Sequence, residues 1–422
     1  MRIALLTSGS RGDVQPMLAV AMELSRRGHQ VVLVVNENFV GWLGPRPFEI
    51  LSFPVDSEAY LRSPGGQALL ARGQLDKLFR ETNRIELEVN DAITDVLVRA
   101  VQGVDLILAT PLSGFRSKIL AEKFDIPAIL LCLQPPIGSR DAAHWALPVR
   151  SLGFGALNLW TYDFVLAQVW RAMRPALDHM RASLGMAPEV QALKQAQFPR
   201  TISLYSQQLF PRPDDWDARH QVAGFAPLRS EDRGGAETEE LPPDLEAWLD
   251  QDSPPVFFGF GSMPVSRPQA LLRDIEYLCQ RLGVRALIGS GWTDYGQRTD
   301  ERVFIVGPVD HDRVLPRCRA AVHHGGAGTT HSALRAGLPS LISSFFVDQP
   351  SWGRAVKRLG VGDTIPFDKL TSSKLLELLP PLLTEEMQAR ARELGAIVGR
   401  ENGASRAADL IEGQPLIAPI PP

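Results

Sequence analysis

The chain has 422 residues, 45% hydrophobic and 22% charged, which is enough material for two domains of ordinary globular composition. A formal net charge of −4 without basic runs speaks against a nucleic-acid binder. Three scattered cysteines, Cys132, Cys279 and Cys318, exclude a disulfide scaffold and fit a reducing cytoplasm.

The first segment, MRIALLTSGSRGD, has an apolar run too short for a signal peptide, and no uninterrupted apolar stretch of about twenty residues occurs anywhere. Residues Arg2 to Thr7 read as a strand, Ser8 to Asp13 as a polar turn, and Val14 to Arg27 as a helix, with Val14, Met17, Leu18, Ala21 and Leu24 at helical spacing. Gly28 stops that helix and Val31 to Val35 is the next strand, so the chain opens on a βαβ unit. The runs 104–109, 128–133 and 201–205 are further short apolar strands, as a parallel sheet covered on both faces requires.

Between them, Asp141 to Gly185 reads as largely helical and carries Trp145, Phe154, Trp160, Phe164 and Trp170. This stretch is either a helical pair packed on the first domain or the wall of a pocket for a bulky apolar molecule, opening toward a membrane surface. Residues Arg229 to Pro243 lack apolar periodicity and read as a linker. The same alternation then restarts, with strands at 256–262, 285–290, 303–307 and 320–323, and with helices at 269–282, after Pro350 to Leu359, and from Thr371 to about Arg400. The predicted architecture is α/β: residues 1–228 form one domain, 229–243 a linker and 244–422 a second domain. Each is a Rossmann-like unit with a mostly parallel sheet facing an interdomain cleft.

Two loops lie beyond strand ends, where open parallel sheets bind ligands. In HHGGAGTT, residues His323 to Thr330, the glycines Gly325, Gly326 and Gly328 let backbone amides approach a ligand, and the following helix start favours an anion such as a diphosphate. His323 and His324 suit hydrogen-bond donation to phosphate better than metal ligation, because adjacent histidines diverge and no carboxylate or cysteine completes a ligand spacing, even with His311 or His331 as a third. In the first loop Asp13 is either an N-cap of the helix from Val14 or a general base at the cleft mouth, and the two roles are compatible. Asp348 and Gln349 before Pro350 are either a capped turn or a grip on sugar hydroxyls. Asp214 and Asp215 in PDDWD read as turn residues.

The set GSRGDVQP, FGFGSM, HHGGAGTT, RAGLP and DQP resembles the GT-B-fold glycosyltransferases of family 1, in the branch that includes bacterial antibiotic and macrolide glycosyltransferases, rhamnolipid-type transferases and sterol glucosyltransferases. The likeness covers nearly the whole chain and is strongest from Gly307 to Gly362. It implies an N-terminal acceptor domain and a C-terminal domain for a nucleoside-diphosphate sugar, with the terminal helix packing back on the first domain. On this likeness His323, Gly325, Gly326, Ala327, Gly328, Thr329 and Ser262 bind the donor diphosphate. Asp348 and Gln349 bind the donor sugar, Trp292, His331 and the backbone of Pro308 to His311, Val309 included, the nucleobase and ribose, and Trp145, Phe154 and Trp160 the acceptor. Asp13 stands where many relatives place a catalytic histidine and is expected to deprotonate the acceptor hydroxyl as the anomeric carbon inverts, with no metal and no cofactor beyond the sugar donor.

The expected partners are a UDP- or dTDP-sugar and an apolar small molecule, with peripheral membrane contact through the first domain, no nucleic acid and a cytoplasmic location. Departures from the family pattern at Ser340, Ser343, Ser344 and His331 leave the donor open. A nucleotide-sugar epimerase and a noncatalytic helper are the rivals on the same architecture, and a GxGxxG turn is missing for a nicotinamide enzyme.

Overall fold

The computed structural model describes residues 1–71, 75–189, 198–233, 241–251, 253–263, 265–296 and 300–413. Two sheets organise it. The first contains β1 (Arg2–Leu6), β2 (Gln30–Asn36), β3 (Glu49–Phe53), β4 (Leu106–Ala109), β5 (Ala128–Cys132), β6 (Thr201–Ser203) and β7 (His220–Val222), in the order β3-β2-β1-β4-β5-β6-β7. The second contains β8 (Val256–Gly259), β9 (Ala286–Gly289), β10 (Val303–Val306), β11 (Ala320–His323), β12 (Ser340–Ser344) and β13 (Gly362–Pro366), in the order β10-β9-β8-β11-β12-β13. The strand pairings within both sheets are parallel. Helices cover both faces, and the central strands are accordingly apolar throughout: Ile3, Leu5, Leu106, Leu108, Val256 and Phe258 are fully buried.

Strand order reverses between β1 and β4 in the first sheet and between β8 and β11 in the second. Crevices therefore open beyond the carboxyl ends of those strands. The loop after β1 carries Asp13, and the loop after β11 carries the glycines. These two topological switch points face each other across one cleft.

Six helices position the residues discussed below: α1 (Arg11–Arg26), α2 (Gly155–Ser183), α3 (Ala327–Arg335), α4 (Gln349–Arg358), α5 (Glu385–Val398) and α6 (Gly403–Glu412). The helical pair expected over 141–185 is instead an irregular segment followed by the single long helix α2. The irregular part is tied to the start of α2: Asn158 donates to the Arg140 carbonyl at 2.7 Å, and the His144 amide donates to the Thr161 hydroxyl at 2.8 Å. β3, β7, β12 and β13 add four strands that short apolar runs did not disclose. β12 is SLISS, whose serines sit buried in a strand covered on both sides. The helical reach after Thr371 is broken into Ser372–Leu382 and α5 at Leu383–Thr384, where Thr384 caps the new helix through the Met387 amide. Of the linker read at 229–243, residues 234–240 lie outside the described residues.

The terminal helix α6 packs on α1. Arg27, the C-cap of α1, donates to Asp409 and Glu412 at 2.8 Å each and to the Ser405 hydroxyl at 2.8 Å. Ahead of α6, the chain returns alongside the point where it first leaves the first domain. The Gly403 amide donates to the Phe225 carbonyl at 2.7 Å, and Glu401 accepts from the Phe225 amide at 2.8 Å and the Ser206 hydroxyl at 2.6 Å. A Cβ on Gly403 would stand 2.1 Å from the Gly224 carbonyl oxygen, so only glycine lets the two crossings approach this closely.

Candidate active site

Helix α1 begins at Arg11, three residues before the sequence pattern suggested, and Ser10 rather than Asp13 is its N-cap. Asp13 is the fourth member of a capping box. Ser10 accepts from the Gly12 amide, and the Asp13 Oδ2 accepts from the Ser10 amide at 2.8 Å and from the Ser10 hydroxyl at 3.1 Å. Both of those Asp13 bonds end on Oδ2, which leaves Oδ1 at the partly exposed cleft mouth. Gly9 makes the geometry feasible: its φ of +123° is left-handed, and a Cβ there would lie 2.5 Å from the Asp13 carboxylate. Buried Asn36, at the end of β2, accepts from the Gly9 amide at 2.9 Å and anchors this loop.

Burial pushes the Asp13 carboxyl up to about 6; the Ser10 bonds pull it back and the charge of Asp348 adds to the rise. That last influence crosses the domains, because Asp348 sits at the start of α4. Gln134, just past β5, donates to Asp348 Oδ2 at 2.7 Å, and the Trp352 indole donates to the same oxygen at 2.8 Å. Asp348 does not cap α4 through its side chain, so the plain capping alternative does not describe it. Burial raises its carboxyl as well. Its neighbour Val347 takes a φ of +57°, a conformation costly for a β-branched residue, which marks this turn as held by its surroundings. Gln349 is buried, and its Oε1 accepts from the Phe345 amide at 2.7 Å. The amide nitrogen of that side chain is the group left for a ligand.

In the glycine loop, α3 starts at Ala327 with Gly326 as N-cap and no side chain capping it. The first-turn amides of Ala327, Gly328 and Thr329 have no acceptor within the helix, by the rule that governs every helix start. His323 lies fully buried beneath this loop. Its Nδ1 accepts from the Gly325 amide at 3.1 Å, so the neutral ring carries its proton on Nε2, and that N–H is buried without a partner. Burial and the neighbouring His324 and His311 hold the ring neutral, its pKa lowered to about 3. His324 is wedged between two turns: a Cβ on Gly326 would meet its Nε2 at 2.5 Å and one on Gly261 its Cε1 at 2.8 Å. Ser262 follows Gly261 on the turn after β8 and is partly exposed. Among the described residues, no three His, Cys, Asp or Glu side chains gather as a metal-holding group.

Two expected contacts, at His331 and Trp292, look different in the structure. His331 is fully buried, with both ring nitrogens engaged: Nε2 takes the Ser206 amide of the first domain at 3.0 Å and Nδ1 gives its hydrogen to the Ala327 carbonyl at 2.6 Å. The ring also stacks on Phe225 at 4.5 Å, so it is a seam residue with no atom left for a ribose. The Val309 side chain packs into the core of the second domain, so the group it can offer a nucleobase is its backbone. Trp292, whose amide donates to the Gly261 carbonyl at 3.0 Å, packs half-buried against the apolar cluster formed by the first domain and α6.

On the other side of the cleft, Trp145 is half-buried, stacks near His144 at 4.6 Å and donates its indole N–H to the Pro135 carbonyl at 3.1 Å. Phe154 is 70% exposed and Trp160 55%, the latter stacked on Phe164. With Leu152 and Leu157 they make an apolar strip at the start of α2. Asp214 and Asp215 lie in a turn, where Asp215 accepts from the Arg140 amide at 2.7 Å and fixes the loop before Trp145. No helix among the described residues is long and apolar enough to cross a membrane.

The pattern Ser10-x-x-Asp13 was a readable capping-box signature, whereas Gln134, Asn36 and Gly9 carried no local signal. Gln134 meets a partner 214 residues away.

Comparison with known proteins places this geometry. The glycosyltransferase family 28 N-terminal domain matches residues 3–133, and the erythromycin biosynthesis protein CIII-like C-terminal domain matches residues 297–403. The chain is 32% identical over 429 residues to an uncharacterized glycosyltransferase of Mycobacterium tuberculosis, covering 98% of both chains. It is 30% identical to the sterol 3-beta-glucosyltransferase UGT80A2 of Arabidopsis thaliana, covering 96% of this chain and 64% of that protein. Its fold is that of the glycosyltransferase VinC, solved in complex with dTDP, with a TM-score of 0.67 at 17% identity over 97% of this chain and 98% of that one. Two parallel sheets, each opening at its switch point onto a shared cleft, are the shell of these enzymes, and the chain belongs to the GT-B-fold glycosyltransferases of family 1.

Proposed function

We propose that the protein transfers a hexose from a UDP- or dTDP-sugar to a hydroxyl group of an apolar small molecule, with inversion at the anomeric carbon. The observation that carries this reading is the juxtaposition of the Asp13 carboxylate with Asp348 and the uncapped start of α3, spanned by the Gln134 to Asp348 hydrogen bond. Asp13 Oδ1 takes the acceptor proton as the acceptor oxygen forms its bond to the anomeric carbon. The bond from that carbon to the diphosphate oxygen breaks in the same step, and the electron pair leaves with the nucleoside diphosphate. The amides of Ala327 to Thr329 and the His323 Nε2–H are the donors suited to the leaving charge. The free oxygen of Asp348 and the amide nitrogen of Gln349 suit sugar hydroxyls. A thymidine diphosphate complex of a protein with this fold and the sterol acceptor of a 30% identical relative support the two substrate classes. The strip of Phe154, Leu157, Trp160 and Phe164 supports an apolar acceptor and a peripheral membrane contact.

The deciding experiment incubates the protein with UDP- and dTDP-hexoses and a panel of sterols, phenols, macrolides and long-chain alcohols, reading the mass of added hexose and the anomeric configuration. Absence of transfer across the panel, or retention at the anomeric carbon, defeats the reading.

Two further outcomes follow. Because Asp13 acts as its carboxylate and titrates at about 6, kcat/KM falls tenfold per pH unit below about 6 and is level above it. A profile that is flat from pH 5 to 8 contradicts this role. Turnover also persists in excess EDTA, because the charge of the leaving diphosphate is met by backbone amides and His323. Loss in EDTA that magnesium or zinc reverses contradicts the metal-free scheme.

A further inference from the structure

Helix α4 does more than present Asp348 and Gln349. One turn and a half further on, Arg354 reaches back across the cleft, and its Nη2 donates to the Trp145 carbonyl at 3.0 Å and to the Leu147 carbonyl at 2.8 Å. Arg358, one turn beyond, donates to the Leu209 carbonyl at 2.5 Å, and Trp352 sits edge-on to Tyr205 and Phe210 of the first domain. The helix that carries the donor-side carboxylate is thereby pinned to the first domain along its length.

One of these links, from Arg354 to Trp145, completes a closed circuit. Asp348 is held by Gln134. The residue after Gln134 is Pro135, whose carbonyl accepts the Trp145 indole N–H at 3.1 Å. The Trp145 carbonyl accepts from Arg354, and Arg354 returns through α4 to Asp348. Burial lowers the pKa of the Arg354 guanidinium, and among the described residues it donates to the two carbonyls and to no carboxylate. A desolvated cation spent on two main-chain oxygens holds a segment in place, because each carbonyl loses a charge-assisted bond when the cation goes. The segment it holds, residues 143–152, has little other regular structure.

We infer that Arg354 is a positioning residue that couples engagement of the donor at Asp348 to the placement of the Trp145 wall against which the acceptor lies. The inference rests on the transferase reading above. It adds that the acceptor wall is set by the donor helix, so that a bound nucleotide sugar and a formed acceptor site occur together. Arg354 touches neither reacting atom; it acts through Trp145 and Leu147.

Hydrogen exchange followed by mass spectrometry, with UDP-glucose and dTDP-glucose as probes because Asp348 is the sugar-side group, tests this directly on the full chain. In the wild type, saturating nucleotide sugar slows exchange both in 323–330 and in 143–152. In Arg354→Met, which keeps the aliphatic stem, 323–330 is still protected and 143–152 is not. Arg354→Lys, which keeps a cation able to reach one carbonyl, gives intermediate protection and serves as the second variant if the first fails to fold. With the hydroxyl compound that the wild type glycosylates, Arg354→Met raises the acceptor KM about tenfold while nucleoside diphosphate affinity by calorimetry stays within about twofold. Equal protection of 143–152 in wild type and variant, no protection there in the wild type, or a parallel fall in nucleotide affinity overturns the coupling. Failure of 323–330 to respond to either nucleotide in the wild type overturns the transferase reading together with it, so the two failures are told apart by which segment is silent.

Discussion

Asp13→Asn lowers the rate of sugar transfer by roughly 10²–10⁴-fold and leaves nucleoside diphosphate affinity unchanged. The substitution is chosen for its conservation of everything except the basicity. Asn can still accept from the Ser10 amide and hydroxyl, the two bonds that Asp13 Oδ2 makes now, so the capping box and the start of α1 persist. What disappears is a carboxylate whose burial sets it near neutrality, where a base is both ionised and able to hold a proton. The measurements are single-turnover transfer, calorimetric titration with UDP and dTDP, and a thermal melt. Transfer within tenfold of wild type, with an unchanged melt, removes Asp13 from the chemistry and leaves it a capping residue.

Gly325→Ala acts on the opposite wall and by a different cause. Gly325 has a φ of +88°, and an added Cβ would lie 2.5 Å from Ile342 Cγ2 and 3.1 Å from the Gln349 carbonyl oxygen. The backbone there cannot relax without moving its amide, which donates to His323 Nδ1, and with it the start of α3. Left-handed strain and overpacking together cost roughly 2–4 kcal/mol of folding stability. The same displacement misdirects the first-turn amides, so nucleoside diphosphate affinity falls at least tenfold by the loss of about one charge-assisted hydrogen bond. Denaturant melts and calorimetry check both effects. A variant that binds nucleotide normally contradicts the assignment of this loop to the diphosphate. Gly41→Ala, in the first domain and outside this loop, is the control, because a Cβ there meets nothing within 4 Å.

These two residues were legible in the sequence because their signals are local. A glycine cluster between an apolar strand and a helix start announces an anion site, and a carboxylate at a strand-to-helix turn announces a cap or a base. Asp13 proved to be the acceptor half of a capping box whose other half, Ser10, lies three residues earlier. The two-sheet architecture was legible for the same reason, since strands such as Ile3 to Leu6 and Val31 to Val35 are apolar throughout. The strand SLISS was missed because its serines interrupt the apolar run by which a buried strand is recognised, although neighbours on both sides bury it. Gln134 and Arg354 were invisible for a stronger reason. Each is an ordinary polar residue whose partner lies more than two hundred positions away, and only the docking of two domains creates the pairing. His331 shows the converse: its place in the motif suggested a ligand, and the seam with Phe225 and Ser206 claimed both of its nitrogens.

The side-by-side crossings at Phe225 and Gly403 have a mechanical consequence. Where the chain leaves the first domain and where it returns, Phe225 and Gly403 are hydrogen-bonded side by side, which makes this point a pivot for the two domains. Any opening that admits a sugar nucleotide is a rotation about that pivot, and displacement grows with distance from it. His331, stacked on Phe225, lies at that point, and Trp352 of α4 stands 5.2 Å from its ring while its indole bonds Asp348. Opening the cleft at α4 thus means parting the polar contacts of Gln134 and Arg354 and sliding the Trp352 ring against Tyr205 and Phe210, so the aromatic cluster beside the pivot is the bearing on which the domains turn.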